Sequence, residues 1–313
     1  MNEYGKERIP FLFIIDFEMK SPIAIKISDA DSSILFHTCN YKNYFDKSFD
    51  KSNLVLKKYP ISFEKYSSAF AKVMENIKNG NTYLLNLTFP TKIKTNYTLE
   101  EIFHVSNAKY KLLFENKFVV FSPETFIQIK DGKIFSFPMK GTIDASIENA
   151  EEKLLNDEKE LAEHNTIVDL IRNDLSMVAK NVRVEKFRYI GKIKTLNIIL
   201  LQTSSKISGE LENNYYEKIG DIIFKLLPAG SISGAPKKKT VGIIKDAEEY
   251  SRGYFTGVFG IFDGKELDSA VMIRFIENID GAFYYKSGGG ITFMSKPELE
   301  YQEMIDKVYV PII

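Results

Sequence analysis

A single cysteine, Cys39, is all the thiol this chain carries, so no intrachain disulfide can brace it, and a reducing, cytoplasmic setting is the simple expectation. Cys39 falls in the polar stretch HTCNYKN, which shows no sign of a site. Charge of one sign is missing too. Lys plus Arg and Asp plus Glu each total 42 among 313 residues. That balance excludes a broad cationic footprint for nucleic acid, and an anionic ligand would depend on a local cluster of positive groups or a metal. There is no apolar run long enough to cross a bilayer, and the polar start MNEYGKERIP is no secretory signal, so no membrane partner is expected. Repeats, low-complexity tracts and linkers are absent as well, which argues for one domain.

What is present reads as a globular enzyme, 44% hydrophobic and 27% charged. Residues 1–60 suggest a short strand-and-loop region, with IPFLFIIDF and SPIAIKIS as strands, packed on a catalytic region over 61–313. Ser62 can cap a helix in which Phe63, Tyr66, Phe70, Val73 and Ile77 recur at helical spacing up to Gly80. TYLLNLTF alternates as a strand, and its half-polar face (Thr82, Leu84, Asn86, Thr88) suggests a cavity wall. Two strands flank an Asp131-Gly132 turn. Helices are expected over 151–176, 215–226 and 237–249, and after Pro297. Hairpin strands with helices between them indicate an α+β class with mostly antiparallel sheet.

KELAEH places Glu160 and Glu163 three apart on a helix, and PELEYQE does the same for Glu300 and Glu303. Such pairs share a helix face. Ser295 and Glu298 would form a capping box starting the second helix, with Pro297 in its first turn. Four facing carboxylates without histidine suit a hard cation, Mg²⁺ above all; solvated helix faces carry the same spacing. The strings AGSISGAPKKK and KSGGGIT could bring backbone amides to an anion or simply make tight turns, and neither has P-loop spacing. Arg274, inside the apolar AVMIRFI, needs a partner: a bound carboxylate or a buried ion pair.

SPETF (122–126), PMKGT (138–142), ELAEHNTIVDLIRNDL (160–175), PAGSISGAPK (228–237), RGYFTGVFG (252–260), AVMIRF (270–275) and GGGITFMSKPELEYQEMIDK (288–307) together resemble the chorismate-utilising enzymes. Among them are anthranilate synthase component I, aminodeoxychorismate synthase component I, isochorismate synthase and salicylate synthase. The resemblance implies a single large α+β domain: two mostly antiparallel sheets packed together, with helices outside. It implies Mg²⁺ held mainly by Glu163 and Glu303, with Glu160 and Glu300 as further donors, and chorismate as substrate. Gly141, Thr142, Tyr254, Arg274, the Gly289 and Gly290 amides and Lys307 would bind that substrate.

Lysine in the middle of PMKGT is similar to aminodeoxychorismate synthase component I; anthranilate synthases usually have alanine there. The implied chemistry is attack by Lys140, its pKa lowered, with Glu124 as general acid and ammonia replacing the C4 hydroxyl. Leu84 stands where water-adding relatives carry a basic lysine, and Gln202 where the family often has a histidine. No cysteine nucleophile in a glycine-rich elbow is visible, so ammonia would come from solution or from a glutamine amidotransferase subunit. A tryptophan-binding region looks absent or reduced. Anthranilate synthase, isochorismate synthase and an idle chorismate-binding subunit are the alternatives. A strict turn at Asp131-Gly132 would put Glu124 and Lys140 on opposite faces, so the resemblance further requires a bulge or proline-broken register near Pro123 or Pro138.

Overall fold

Phe11–Ile15 is a run of large apolar residues with no polar alternation, the pattern of a strand buried on both faces, and each of its residues is fully buried. The computed structural model describes residues 1–49, 54–194 and 199–312; part of the polar stretch CNYKNYFDKSFDKSN, at 50–53, lies outside them. The chain runs α1 (Asn2–Lys6), β1 (Phe11–Ile15), β2 (Ile23–Lys26), β3 (Ile34–His37), β4 (Leu56–Tyr59), α2 (Phe63–Lys78), β5 (Leu84–Thr95) and α3 (Leu99–Val105). There follow β6 (Tyr110–Phe114), β7 (Phe118–Ser122), β8 (Thr125–Lys130), β9 (Lys133–Ser136), β10 (Met139–Asp144), α4 (Ala150–Asn156), α5 (Glu158–Ser176), β11 (Lys180–Lys194) and β12 (Ile199–Glu210). The last part comprises α6 (Ile219–Leu226), α7 (Gly230–Ser233), β13 (Gly234–Ala235), α8 (Lys237–Glu248), β14 (Val258–Phe262), β15 (Leu267–Val271), β16 (Phe275–Ile279), β17 (Ala282–Ile291) and α9 (Pro297–Asp306).

Two antiparallel sheets result, within one α+β domain. The first has the order β10-β12-β9-β8-β15-β14-β1-β2, with β11 on β12; the second has β13-β5-β17-β16-β7-β6-β3, with β4 on β5. Alternation along β1 sorts the core. Leu12 and Ile14 join Phe36, Leu112, Val120 and Phe275 between the sheets, whereas Phe11, Phe13 and Ile15 join residues of α2, α5, α6 and α8. The N-terminal strands belong to both sheets, since β1 pairs with β14 and β3 with β6.

Local chemistry explains most boundaries. The Ser62 side chain caps α2 as expected, and Gly80 follows its end at φ +69°. The Asp131-Gly132 turn joins Lys130 to its partner Lys133. The helical stretch 151–176 is two helices, because the Asp157 side chain accepts from the Glu160 amide and starts α5 afresh. The expected capping box at Ser295 and Glu298 does not form. Lys296 is the N-cap of α9, and the Ser295 hydroxyl instead accepts from the Thr292 amide; Pro297 does occupy the first turn.

Candidate active site

The site lies where the chain changes sheets. Between β7 and β8 it passes from the second sheet to the first at Pro123-Glu124, and between β15 and β16 it passes back at Met272–Arg274. The crossings are stitched together: the Phe121 amide donates to the Arg274 carbonyl (3.1 Å) and the Val271 amide to the Glu124 carbonyl (3.2 Å). Arg274 is therefore not inside a strand, as the apolar run suggested, but in a linker with φ +54°, a costly conformation for a side chain-bearing residue. No carboxylate among the described residues ion-pairs with it; its guanidinium lies 5.1 Å from the Tyr309 ring centroid. A cavity of about 1260 Å³ opens beside these crossings, lined by Glu124, Lys140, Thr142, Arg274, Lys307 and residues of both sheets.

Glu124 and Lys140 share this cavity because the hairpin register is broken. β8 pairs with β9 only as far as Gln128 and Phe135; β9 already pairs with β12 up to Ser136 and Ile207, and beyond Phe137-Pro138 the chain follows β12 alone, where Lys140 pairs with Thr203 and Thr142 with Gln202. A bulge separates those pairs at Gly141, whose φ is +68°. The proline-broken register anticipated near Pro138 is thus present. Ser231 donates a short hydrogen bond to Glu124 Oε1. Burial pushes the Glu124 carboxyl above the usual carboxylate range, against the pull of Ser231, Lys140 and Arg274.

All four glutamates of the two helix pairs converge on β10 and β17. A Cβ built on Gly141 would meet Glu160 Oε2 at 3.3 Å, and one on Gly289 would meet Glu303 Oε1 at 3.3 Å and Glu300 Oε2 at 3.5 Å. One on Gly290 would meet Leu84 Cδ1 at 3.2 Å, Lys140 Nζ at 3.3 Å and Glu163 Oε2 at 3.5 Å. Lysines neutralise three of the carboxylates: Lys140 reaches Glu163 at 2.9 Å, Lys159 reaches Glu300 at 3.1 Å and Lys307 reaches Glu303 at 2.5 Å. Glu160 Oε2 is buried without a hydrogen-bond partner, and burial together with Glu163 raises its pKa. An all-oxygen donor set with an orphaned carboxylate oxygen fits a hard cation. Among the described residues no group of three or more His, Cys, Asp or Glu side chains is placed to hold a metal ion, and lysines pair with three of the four glutamates.

Several expectations need correction. The Lys140 pKa is not lowered: burial pushes it down, but Glu163, Glu160 and Glu303 outweigh burial and hold it above its ordinary value. Tyr254 does not line the cavity. Its hydroxyl donates to the Ser21 carbonyl (3.0 Å) and its ring packs on Phe118, while the next residue, Phe255, faces the cavity. Gly288–Gly290 form no loop but belong to β17, paired with Thr88, Leu87 and Asn86 of β5. In such a ladder neighbouring residues point their amides to opposite sides, so Gly289 and Gly290 cannot both offer free N–H groups; Gly290 lines the cavity.

Of the half-polar face of TYLLNLTF, Asn86 and Thr88 line the cavity; Lys286 and Lys159, which also line it, were not singled out in the sequence. Asn86 donates to the Ser231 carbonyl, and its own carbonyl accepts from Arg252, which is buried against Glu248. Lys286 lines the cavity on the face it shares with Gly288 and Gly290, a period-two relation that was readable. Lys159 stands four residues before Glu163, a spacing that was also readable.

The family described as chorismate binding enzyme matches residues 20–312, and the chain belongs to it. An uncharacterized PabA-like protein of Haemophilus influenzae is 52% identical over 311 residues, covering 99% of this chain and 95% of that protein. Anthranilate synthase component 1 of Aquifex aeolicus is 34% identical over 260 residues, 78% of this chain and 51% of that protein. Aminodeoxychorismate synthase component 1 of Bacillus subtilis is 31% identical over 265 residues, 80% of this chain and 55% of that protein. Anthranilate synthase component I from Streptococcus pneumoniae superposes with TM-score 0.69 at 25% identity, covering 84% of this chain and 60% of that one. Among the described residues no helix is long and apolar enough to cross a membrane.

Proposed function

We propose that the protein is an aminodeoxychorismate synthase component I, replacing the C4 hydroxyl of chorismate with ammonia supplied free or by a glutamine amidotransferase partner. The observation that carries this reading is the placement of the Lys140 amine beside Leu84 and Glu163, in one cavity with Glu124. A lysine there is a nucleophile in reach of a ring bound against the carboxylate helices. Leu84 carries no group that can take a proton, which disfavours activation of water from that position.

Mg²⁺ held by Glu163 and Glu303, with Glu160 and Glu300 as further donors, would supply positive charge at the substrate's ring carboxylate and neutralise the acidic groups that hold Lys140. The chain's own residues do the rest. Arg274 and Lys307 hold the substrate's other carboxylate, on the enolpyruvyl group, and Thr142 and Gly290 bound the ring. Lys140, as the free amine, forms a bond to C2 while the ring double bonds shift and the C4–O bond breaks. Glu124 gives its proton to the departing hydroxyl, which leaves as water. Ammonia then bonds to C4, the double bonds shift back, and the C2–N bond breaks to free Lys140. Net, chorismate and ammonia become 4-amino-4-deoxychorismate and water.

The test is incubation with chorismate, Mg²⁺ and ammonium, followed by mass analysis. Aminodeoxychorismate that becomes 4-aminobenzoate only on adding a separate lyase supports the reading. Fluorescent anthranilate without that lyase would sink it in favour of the anthranilate synthase reaction, the second reading, which the Aquifex aeolicus relative supports.

A further inference from the structure

We infer that Lys159 is a built-in counter-cation that competes with the divalent metal for the carboxylates of α5 and α9; this deepens the metal reading above and rests on it. Lys159 is the first-turn residue of α5 that reaches both helices. Its ammonium lies 3.1 Å from Glu300 of α9 and 3.9 Å from Glu163 of its own helix. These are the two most deeply buried of the four glutamates, at 2% and 6% side-chain exposure. A buried carboxylate without a counter-charge is strongly disfavoured, so something positive must stand between the helices when no metal does.

Three lysines share that duty, and Lys159 differs from the others. Lys140 is enclosed, at 19% exposure, and is assigned to chemistry; Lys307 also donates to the Gly288 carbonyl at 2.9 Å. Among the described residues the Lys159 ammonium touches carboxylates alone, and the side chain is 37% exposed. Its head can therefore swing into water when a cation takes its place, whereas a cation bound beside it would face direct repulsion. Every metal-binding event thus has to break the Lys159 contacts, which weakens affinity for metal alone.

The experiment compares Mn²⁺ and Mg²⁺ binding to the chorismate-free protein, by calorimetry and by the electron paramagnetic resonance of Mn²⁺, for wild type, Lys159→Gln, Lys159→Met and Lys159→Arg. Fold is checked by circular dichroism. Both neutral variants are expected to bind metal about tenfold or more tightly than wild type, within the usual range of coupling between sites. Lys159→Arg, which keeps the charge, should stay near wild type. Unchanged or weakened affinity in the folded neutral variants overturns the role of Lys159 while leaving the metal site standing. If no protein in the series binds either metal, the metal assignment itself falls and takes this inference with it.

Discussion

Lys140 carries the heaviest demand of any single residue. Changing it to Ala removes the proposed nucleophile, and formation of aminodeoxychorismate should fall by more than about 10³-fold. Lys140→Arg should not rescue it, because a guanidinium keeps its charge but is no nucleophile. Wild-type amination by either variant would end the assignment. Glu124 makes a separate prediction with a definite sign. A general acid works only while protonated, so Glu124 contributes a limb on which the rate falls as pH rises through its pKa; the Lys140 amine, which must be free to attack, sets the opposite requirement and lowers the rate at low pH. Burial raises that pKa, so the falling limb should lie above the usual carboxylate range. Glu124→Gln should cost about 10²–10⁴-fold and abolish that limb; an unaltered limb would mean another group is titrating. That Lys140 and Glu124 belong together was legible from the resemblance, and one cavity holds both. Orientation was not legible: Tyr254 and Phe255 are neighbours in one turn, and only the tertiary fold decides that Phe255 faces the cavity.

At the scale of elements, strands and helices were readable from periodicity and their ends from capping chemistry, but only where one signal dominated. Ser62 caps α2; the Ser295 hydroxyl accepts instead from the Thr292 amide, and Lys296 takes the cap position of α9. Arg274 lies in an unbroken apolar string, yet β15 and β16 belong to different sheets, and nothing local in AVMIRF announces the change. Asp157 shows how an element's end serves the site. Its side chain accepts from the Glu160 amide at 2.9 Å and begins the helix that carries Glu160 and Glu163. Asp157→Ala should destabilise the protein by about 1 kcal/mol in urea unfolding. It should also loosen the first turn of α5, raising the Mg²⁺ concentration needed for half-maximal amination. Loss of stability with an unchanged Mg²⁺ requirement would show that the cap serves the fold alone.

For the whole molecule, the informative fact is that neither sheet owns the site. Glu124 and Arg274 sit at the two crossings, Lys140 and Thr142 come from the first sheet, and Gly290 comes from the second. A ligand filling the cavity touches both layers and should stabilise them together. With chorismate and Mg²⁺ each in excess, and the ligand at about a hundred times its Kd, the gain should be about 2.7 kcal/mol. Because the apolar cluster between the sheets is continuous from β1 to β16, this gain should move one cooperative melting transition upward. Calorimetry resolving two transitions, with only the later one shifted by ligand, would divide the N-terminal strands from the catalytic layers and contradict a single domain. A single transition that ligand leaves in place would instead count against the cavity as the chorismate site.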